Sequence, residues 1–192
     1  MEKDTPYPLL PVANQKEWSQ WLRRNHATSE GVWLRFFKKD SGRQDLMYEQ
    51  ALQEALCYGW IDGQSRPLDE ISWKQKFTPR RPRGTWSRRN RERVAMLIRD
   101  GRMKPAGMKE VQAAKEDGRW DQAYESPSRM VVPPDFLAAL RKDRAAYAFY
   151  KTLNRANTYA IAYRLQTART AQTRDRRKAA LLAMLSRGEK LH

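Results

Sequence analysis

The sequence is 192 residues long, 40% of them hydrophobic, and carries a formal net charge of +16. A chain of this length and hydrophobic content can bury a sizeable core, which excludes global disorder and predicts one compact domain or two small lobes. A single cysteine excludes an internal disulfide and a cysteine-based zinc site. The longest purely apolar run, AALLAML, is far shorter than the ~20 residues that span a bilayer. Because the N-terminal sequence also lacks a basic segment followed by an apolar one, we expect a cytoplasmic protein without membrane insertion.

The first half of the chain predicts a small sheet with a helix packed on it. Asn14, with Glu17 three positions later, has the spacing of a capping box and predicts a helix over about 15–25. The β-forming residues of GVWLRFFKK predict a strand. MYEQALQEALCYGW places its apolar residues on one helical face and ends in a glycine stop. WIDGQSRPLDEISWKQKF predicts two strands around a turn, which completes a β-α-β-β element.

The second half of the chain predicts helices. WSRRNRERVAMLIRDG is one, with Ser87 as its N-cap, and KPAGMKEVQAAKEDG is another. A proline-rich connector over about 126–134 follows, and we expect it to be exposed. Three more helices are predicted over roughly 135–150, 153–167 and 173–187. The predicted fold class is α+β, in which an N-terminal β-α-β-β element with a small sheet precedes a mainly helical C-terminal half.

The positive charge is concentrated in two segments of the predicted fold. We expect an α+β lobe over residues 1–125, with a basic loop at 77–94, and a helical lobe over 135–192 packed on it in a single compact domain. Residues 71–94 hold nine basic residues and one acidic residue, a net charge of +8. Residues 140–192 hold thirteen basic and three acidic residues, a net charge of +10. If the two segments meet in the fold, they form one positive surface that attracts anions.

The sequence contains none of the catalytic motifs with a well-defined mechanism. It lacks the phosphate-binding G-x-x-x-x-G-K-[ST] loop, the dinucleotide fingerprint, the H-E-x-x-H zinc motif and the G-x-S-x-G nucleophile motif. Its two histidines are His26, at a predicted helix end, and His192. A histidine triad is therefore not expected, and we predict neither a metal nor a cofactor.

Two predicted helices suggest an anion-binding site. Ser87 and Asn90 lie on the apolar side of the helix that follows Trp86, and Arg174 and Arg177 lie on the apolar side of the last helix. Charges that face a core are costly unless they are paired or hold a ligand. Arginines also occupy the first turns of both helices, where N–H groups and guanidinium groups bind anions together.

Each of these features also has a structural explanation, and the sequence leaves both interpretations open. Ser87 and Asn90 could cap the helix and bond to nearby backbone. Arg174 and Arg177 could pair with an internal carboxylate, for which Asp62 is the expected partner. Asp62 could itself be a residue of an Asp-Gly turn.

Four sequence blocks carry a family resemblance. They are ALCYGWIDGQ (55–64), FTPRRPRGTWSRRN (77–90), GRMKPAG (101–107) and TRDRRK (173–178). Their order and spacing resemble the YdeI/OmpD-associated family, also called bacteriocin-protection proteins, from about residue 15 to the C-terminus. The resemblance implies a role in resistance to bacteriocins through an outer-membrane porin, with no established reaction or cofactor. A porin partner fits this sequence poorly, because no export signal is visible and a charge of +16 repels cationic peptides.

We expect a non-catalytic, stress-associated protein that binds a small anionic ligand, such as a phosphorylated molecule or a nucleotide, between the two halves. The candidate binding residues are Trp60, Asp62, Arg80, Arg81, Trp86, Ser87, Asn90, Arg174 and Arg177. The indole rings would stack on the ligand, and Arg174 and Arg177 would converge with Asp62 or with the helix start at 86–90. Non-specific nucleic-acid binding is the alternative binding function. A small enzyme that uses Asp62 as a general acid or base on a phosphorylated substrate is the alternative outside the binding class.

Overall fold

The computed structural model of the protein describes residues 7–43, 45–126, 129–168 and 170–192, and the elements named below lie within these ranges. The four strands are β1 (Leu9–Leu10), β2 (Val32–Phe37), β3 (Trp60–Pro67) and β4 (Ser72–Pro79). The eight α-helices are α1 (Gln15–Asn25), α2 (Tyr48–Cys57), α3 (Arg88–Arg99), α4 (Pro105–Glu116), α5 (Pro134–Leu140), α6 (Arg144–Lys151), α7 (Arg155–Gln166) and α8 (Ala171–Ser186). The predicted α+β class is confirmed, with the small sheet in the N-terminal half and most helices in the C-terminal half.

The chain divides into two compact units. Unit 1 comprises the described residues up to Gly84 together with Asn90–Asp121. Unit 2 comprises Thr85–Arg89 together with the described residues from Gln122 to His192. The short segment 85–89 is therefore separated in sequence from the rest of unit 2. Residues 90–121, which follow it, belong to unit 1. In the part of the chain that the structure describes, no helix has the length and hydropathy needed to cross a membrane.

Unit 1 contains a four-stranded sheet with the order β1-β2-β4-β3. The predicted hairpin is present, because β3 and β4 pair antiparallel, and β4 also pairs antiparallel with β2. Strand β1 was not predicted. It pairs parallel with β2 over two residues only, and its flanking prolines conceal any alternation of polar and apolar residues in the sequence.

Helices α1 and α2 cover one face of the sheet. On the covered face, the Phe77 ring packs on Trp18 of α1 at 5.7 Å between centroids, and the Phe36 ring packs on Tyr48 of α2 at 6.0 Å. Side chains alternate between faces along a strand, so the residues between those of the covered face point to the other side. We call that other side the open face.

Helix α1 confirms the capping prediction and orients the covered face. The Asn14 side chain accepts a hydrogen bond from the Glu17 backbone N–H at 3.0 Å, and a Glu17 carboxylate oxygen accepts from the Ala13 N–H at 2.8 Å. The first of these bonds satisfies an N–H group that the first turn of a helix leaves without a partner. The helix then buries Trp18 and Leu22 completely.

Unit 2 is built from α5 to α8 around its own apolar core. The buried residues of this core are Val132, Phe136, Leu140, Ala146, Ile161, Ala162, Leu165, Leu181 and Leu185. The single helix predicted over about 135–150 is wrong, because α5 ends at Leu140 and α6 begins at Arg144. Asp143 explains the break, since its side chain accepts a hydrogen bond from the Ala146 N–H at 3.0 Å and caps a new helix.

The connector between the predicted lobes is only partly exposed, which corrects a second expectation. Val131 is 69% exposed, but Val132 is 7% exposed and packs in the core of unit 2. Pro127 and Ser128, which also belong to the predicted connector, lie outside the described residues. An apolar residue within a proline-rich segment can thus anchor that segment to the adjacent helices.

Candidate functional site: the open basic face of the sheet

Both tryptophans predicted to stack on a ligand are buried. Trp60 is 1% exposed and its indole N–H donates to the backbone oxygen of His26 at 3.0 Å, while Trp86 is 2% exposed. Stacking on a ligand requires an accessible ring face. The structure therefore leaves little ring surface of either indole accessible for stacking, and Trp60 belongs to the aromatic core with Trp18 and Trp21.

The basic loop is fixed largely through its backbone. The N–H of Arg80, which is 9% exposed, donates to the Gly59 oxygen at 2.9 Å, and the oxygen of Arg81 accepts from the Gly84 N–H at 2.9 Å. Ser87 directly precedes α3, and its backbone forms a bridge with Tyr124. These backbone contacts position the loop.

Asp62 and Asn90 each bind to a polar side chain of unit 1. The Tyr48 hydroxyl donates to the Asp62 carboxylate at 2.7 Å. Arg93 donates to both carboxylate oxygens of Glu49, at 2.7 and 2.6 Å, and to the Asn90 side-chain oxygen at 3.0 Å. A buried guanidinium with this many acceptors is a structural ion pair.

The electrostatics of this polar network keep its members in their bonded forms. Burial, followed by the hydrogen bond to Asp62, raises the pKa of Tyr48 well above its usual value. Tyr48 therefore stays protonated and able to donate across the neutral range. The hydrogen bond to Glu49 raises the pKa of Arg93. Asp62 and Asn90 thus take part in a network that joins α2, β3 and α3.

Arg174 and Arg177 have partners other than the predicted one. Arg174 forms two hydrogen bonds with Asp135, at 3.0 and 2.6 Å, and Lys178 contacts the same carboxylate at 2.9 Å. These two cations, Arg174 first, lower the pKa of Asp135. Arg177 donates to the backbone oxygen of Arg164 at 2.8 Å, near the C-terminal end of α7. Asp135, and not Asp62, is the carboxylate that pairs with Arg174, so the predicted pairing is wrong.

The open face of the sheet collects cations that the sequence analysis did not assign to a site. Strand register places Arg35 opposite Lys74, and Lys74 opposite Arg66, in one row across β2, β4 and β3. Register also places Trp33 opposite Lys76, two residues farther along β4. Residues directly opposite on neighbouring strands point to the same face. The four cations therefore project from one side of the sheet.

Aromatic rings lie beneath these cations. The Lys74 ammonium is 4.8 Å from the Trp33 ring centroid, and the Arg66 guanidinium is 5.6 Å from it. The Lys76 ammonium is 5.5 Å from the Tyr7 ring centroid. Within the described ranges, neither lysine has a carboxylate within 4.0 Å. Cation–π contact positions a charge without neutralising it, so both lysines keep their full charge for an external anion.

A second cation pair flanks Phe37 at one end of this face. The guanidinium carbons of Arg35 and Arg43 lie 4.4 and 4.2 Å from the Phe37 ring centroid. Arg35 pairs with Asp69 at 2.6 Å and Arg43 pairs with Asp45 at 3.2 Å, both at partly exposed positions. Two of the cations on or beside the open face, Arg35 and Arg43, are therefore matched by carboxylates in the described part of the chain.

A surface pocket of about 310 Å³ lies at the β1 edge of the sheet. The residues that line it are Leu9, Leu10, Pro11, Val12, Ala13, Arg35, Phe37, Arg43 and Asp45. One wall is the apolar β1 segment, and the other carries the ring of Phe37 with its two guanidinium groups. The pocket therefore combines an apolar surface with cationic groups, and it continues onto the open face through Arg35 and Phe37.

The alternation of residues in β2 and β4 is a sequence signal for the open face, but it is weaker than the basic run near residue 80. In VWLRFF the residues Trp33 and Arg35, and in SWKQKF the residues Lys74 and Lys76, alternate with residues of the opposite face, which is typical of a strand with one polar face. The fact that two such strands are neighbours depends on the order β1-β2-β4-β3, which the alternation itself does not reveal. The density of basic residues in the sequence is highest in the loop at 77–94. The cations of the open face are brought together only by the register of β2, β4 and β3.

The described residues offer little for metal or nucleophilic chemistry. They contain no cluster of three or more His, Cys, Asp or Glu side chains placed to hold a metal ion. Cys57 is 1% exposed, and burial raises the pKa of its thiol to about 11. A buried thiol with a raised pKa is a poor nucleophile at neutral pH.

The fold and this surface define an α+β protein with an open, basic sheet face in its first unit and a helical second unit. The chain belongs to the family described as a domain of unknown function, DUF8412, whose model matches residues 10–110. A second family model, described as "Bacteriocin-protection, YdeI or OmpD-Associated", matches residues 129–188. The resemblance to that family is confirmed over this segment, while three of its four motif blocks lie within 10–110. No curated protein and no solved structure matches the chain.

Proposed function

We propose that this protein binds a phosphate-bearing ligand on the open face of the unit 1 sheet. The observation that carries the proposal is the row formed by Arg35, Lys74 and Arg66, with Lys76 beside it. Charge-assisted hydrogen bonds to phosphate are stronger than neutral ones, and several cations on one surface raise the local concentration of anions. The proposal keeps the anionic ligand expected from the sequence and moves its site from the basic loop to the sheet.

Cation–π contacts support this assignment because they reduce the cost of ordering long side chains. A free lysine or arginine loses up to ~2 kcal/mol of rotamer entropy when it is immobilised. Lys74 and Lys76 already lie on the Trp33 and Tyr7 rings, so part of that cost is met before a ligand arrives. A preorganised cationic surface binds anions more tightly than the same charges on mobile side chains.

We further propose that the protein acts by binding and not by catalysis, and that any role in bacteriocin stress runs through the bound ligand. Direct capture of a cationic peptide is disfavoured, because the net charge of +16 repels it. Asp62, the candidate acid or base, accepts a hydrogen bond from Tyr48, and the described histidines lie elsewhere in hydrogen bonds to backbone or at the chain end.

Thermal unfolding in the presence of phosphate, pyrophosphate, tripolyphosphate, ATP and a short oligonucleotide tests the proposal. Ligands with several phosphate groups should raise the melting temperature of the full chain, since binding to the native state stabilises it by mass action. The double variant Lys74→Gln/Lys76→Gln should lose most of this shift. The matched control is Lys16→Gln/Lys109→Gln, which removes the same charge from helices α1 and α4 of unit 1 and should keep it.

A comparison of the two double variants distinguishes binding at the open face from non-specific attraction to the net positive charge. If both double variants lose the shift equally, the ligands respond to net charge, and the open face is not a site. If none of the polyanions changes the melting temperature at low salt, the proposed function is wrong.

A further inference from the structure

We infer that the ligand of the open face is single-stranded nucleic acid, with one unpaired base in the pocket at the β1 edge. This inference rests on the proposed function and specifies its ligand. Two features of unit 1 carry it: the extent of the cationic surface and the composition of the adjoining pocket.

The cationic surface is too large for one phosphate group. Neighbouring strands lie ~4.8 Å apart and residues i and i+2 of a strand lie ~6.7 Å apart. Arg35, Lys74 and Arg66 occupy three successive strands, so their row extends over ~10 Å, and Lys76 adds a second row. Lys74 and Lys76 alone lie ~6.7 Å apart along β4, so a ligand that contacts both must present more than one phosphate along an extended backbone.

The pocket suits a planar ring rather than another phosphate. Its apolar wall, Leu9–Ala13, offers no cation, and its volume of about 310 Å³ is at the small end of ligand pockets. Phe37 and the guanidinium groups of Arg35 and Arg43 form the other wall. Nucleobases stack on arginine planes as well as on aromatic rings, so the guanidinium groups that cover Phe37 offer a stacking surface for a base.

The geometry favours a single strand over a duplex. Sequence-reading of duplex DNA requires a helix or ribbon that enters a groove, whereas the cations here project from a broad sheet. A base inside the pocket must also be unpaired and unstacked from its neighbours. Open sheets that bind single strands place cations along the backbone and stack bases beside them, and unit 1 has both components on one surface.

Fluorescence anisotropy with the full chain tests the inference. The probes are a labelled unstructured oligonucleotide of about twelve nucleotides, an abasic oligomer of the same length, and a duplex of the same sequence. The intact single strand should bind roughly 5- to 150-fold more tightly than the abasic oligomer, the gain expected from seating one base. With phosphate contacts at Lys74 and Lys76, log affinity should fall with log salt at a slope of about −1.4.

Two sets of variants assign these effects to residues. Lys74→Gln/Lys76→Gln should make the salt slope shallower by about 1.4 and leave the preference over the abasic oligomer intact. Val12→Phe, which fills the pocket, should remove that preference and leave the salt slope unchanged. Its matched control is Val131→Phe at an exposed position of unit 2, and melting temperatures confirm that each variant folds.

Each outcome bears on one proposal. Equal binding of the intact and abasic oligomers in the unmodified chain would overturn the base pocket, even if Val12→Phe failed to fold, and would leave anion binding standing. Tighter binding of the duplex would overturn the choice of a single strand. Failure of the single strand, the abasic oligomer and inorganic polyphosphate to bind would overturn the proposed function itself.

Discussion

At the scale of single residues, the Glu49–Arg93 pair shows how a charge becomes part of a core. The Arg93 side chain is 7% exposed, whereas the Glu49 side chain is 44% exposed. Arg93 has therefore given up most of its hydration and depends on Glu49 and Asn90 for compensation. The pair is asymmetric, since loss of Glu49 leaves a buried cation while loss of Arg93 leaves a carboxylate that water can reach.

We predict that Glu49→Gln lowers the free energy of unfolding by about 3 kcal/mol, because a buried guanidinium then lacks its carboxylate. Urea unfolding followed by tryptophan fluorescence measures the change, and all tryptophans except Trp86 belong to unit 1. The matched control is Asp100→Asn, which breaks an exposed pair with Arg99 and should cost less than ~1 kcal/mol. Equal effects of the two changes would show that the Glu49–Arg93 pair is no more valuable than a surface ion pair.

Local contacts between residues were predictable from the sequence, whereas contacts between distant residues were not. The Asn14 cap was predicted because both partners lie within one helical turn. The partner of Arg174 was not, because Asp135 lies 39 positions away and belongs to another helix. Trp60 was assigned to a binding site from its motif, although burial of an indole depends on tertiary packing that the motif does not encode.

At the scale of elements, α2 and α4 approach each other unusually closely. Gly59, which ends α2 with a φ of +77°, lies against the backbone of Ala106 at the start of α4. A Cβ atom on Gly107 would overlap the backbone oxygen of Cys57 and lie 2.8 Å from that of Leu56. Both glycines belong to the sequence blocks that carry the family resemblance. The structure accounts for them by the close packing of the two helices.

We predict that Gly107→Ala destabilises the protein by at least ~2 kcal/mol. Alanine in place of a helical glycine normally stabilises by ~0.5–1 kcal/mol, but here the methyl group meets backbone atoms that cannot rotate away. Thermal unfolding of unit 1, followed by tryptophan fluorescence, measures the change. Met108→Ala, at an exposed position on the same helix, serves as the control and should have little effect. A stabilised Gly107→Ala variant would contradict the close approach of α2 and α4.

Element boundaries were predictable where local signals are strong. Strand β2 and helices α1, α2 and α4 match their patterns, because alternation, caps and glycine stops are all local. The division between α5 and α6 was missed, since Asp143 within an otherwise helical sequence resembles an exposed acidic residue. Strand β1 was missed because a two-residue strand forms only when its partner β2 is already present.

At the scale of the whole molecule, two family models and two compact units divide the chain in nearly the same way. The DUF8412 model covers 10–110, which contains the sheet of unit 1, and the bacteriocin-protection model covers 129–188, which contains the core of unit 2. All nine buried core residues of unit 2 lie between Val132 and Leu185. Each of the two matched segments thus contains a core of its own.

This correspondence predicts that a fragment of residues 122–192 folds without unit 1. The fragment keeps the nine-residue core cluster of unit 2 but loses the segment 85–89 with the buried Trp86, whose oxygen accepts from the Tyr124 N–H at 3.0 Å. We therefore expect a helical circular dichroism spectrum and a cooperative thermal transition. Phe136→Ala should destabilise the fragment by ~3–5 kcal/mol because Phe136 is completely buried, whereas Val131→Ala, at a position that is 69% exposed, should have little effect. A fragment without helical signal, or one in which both substitutions act equally, would show that unit 2 lacks an independent core.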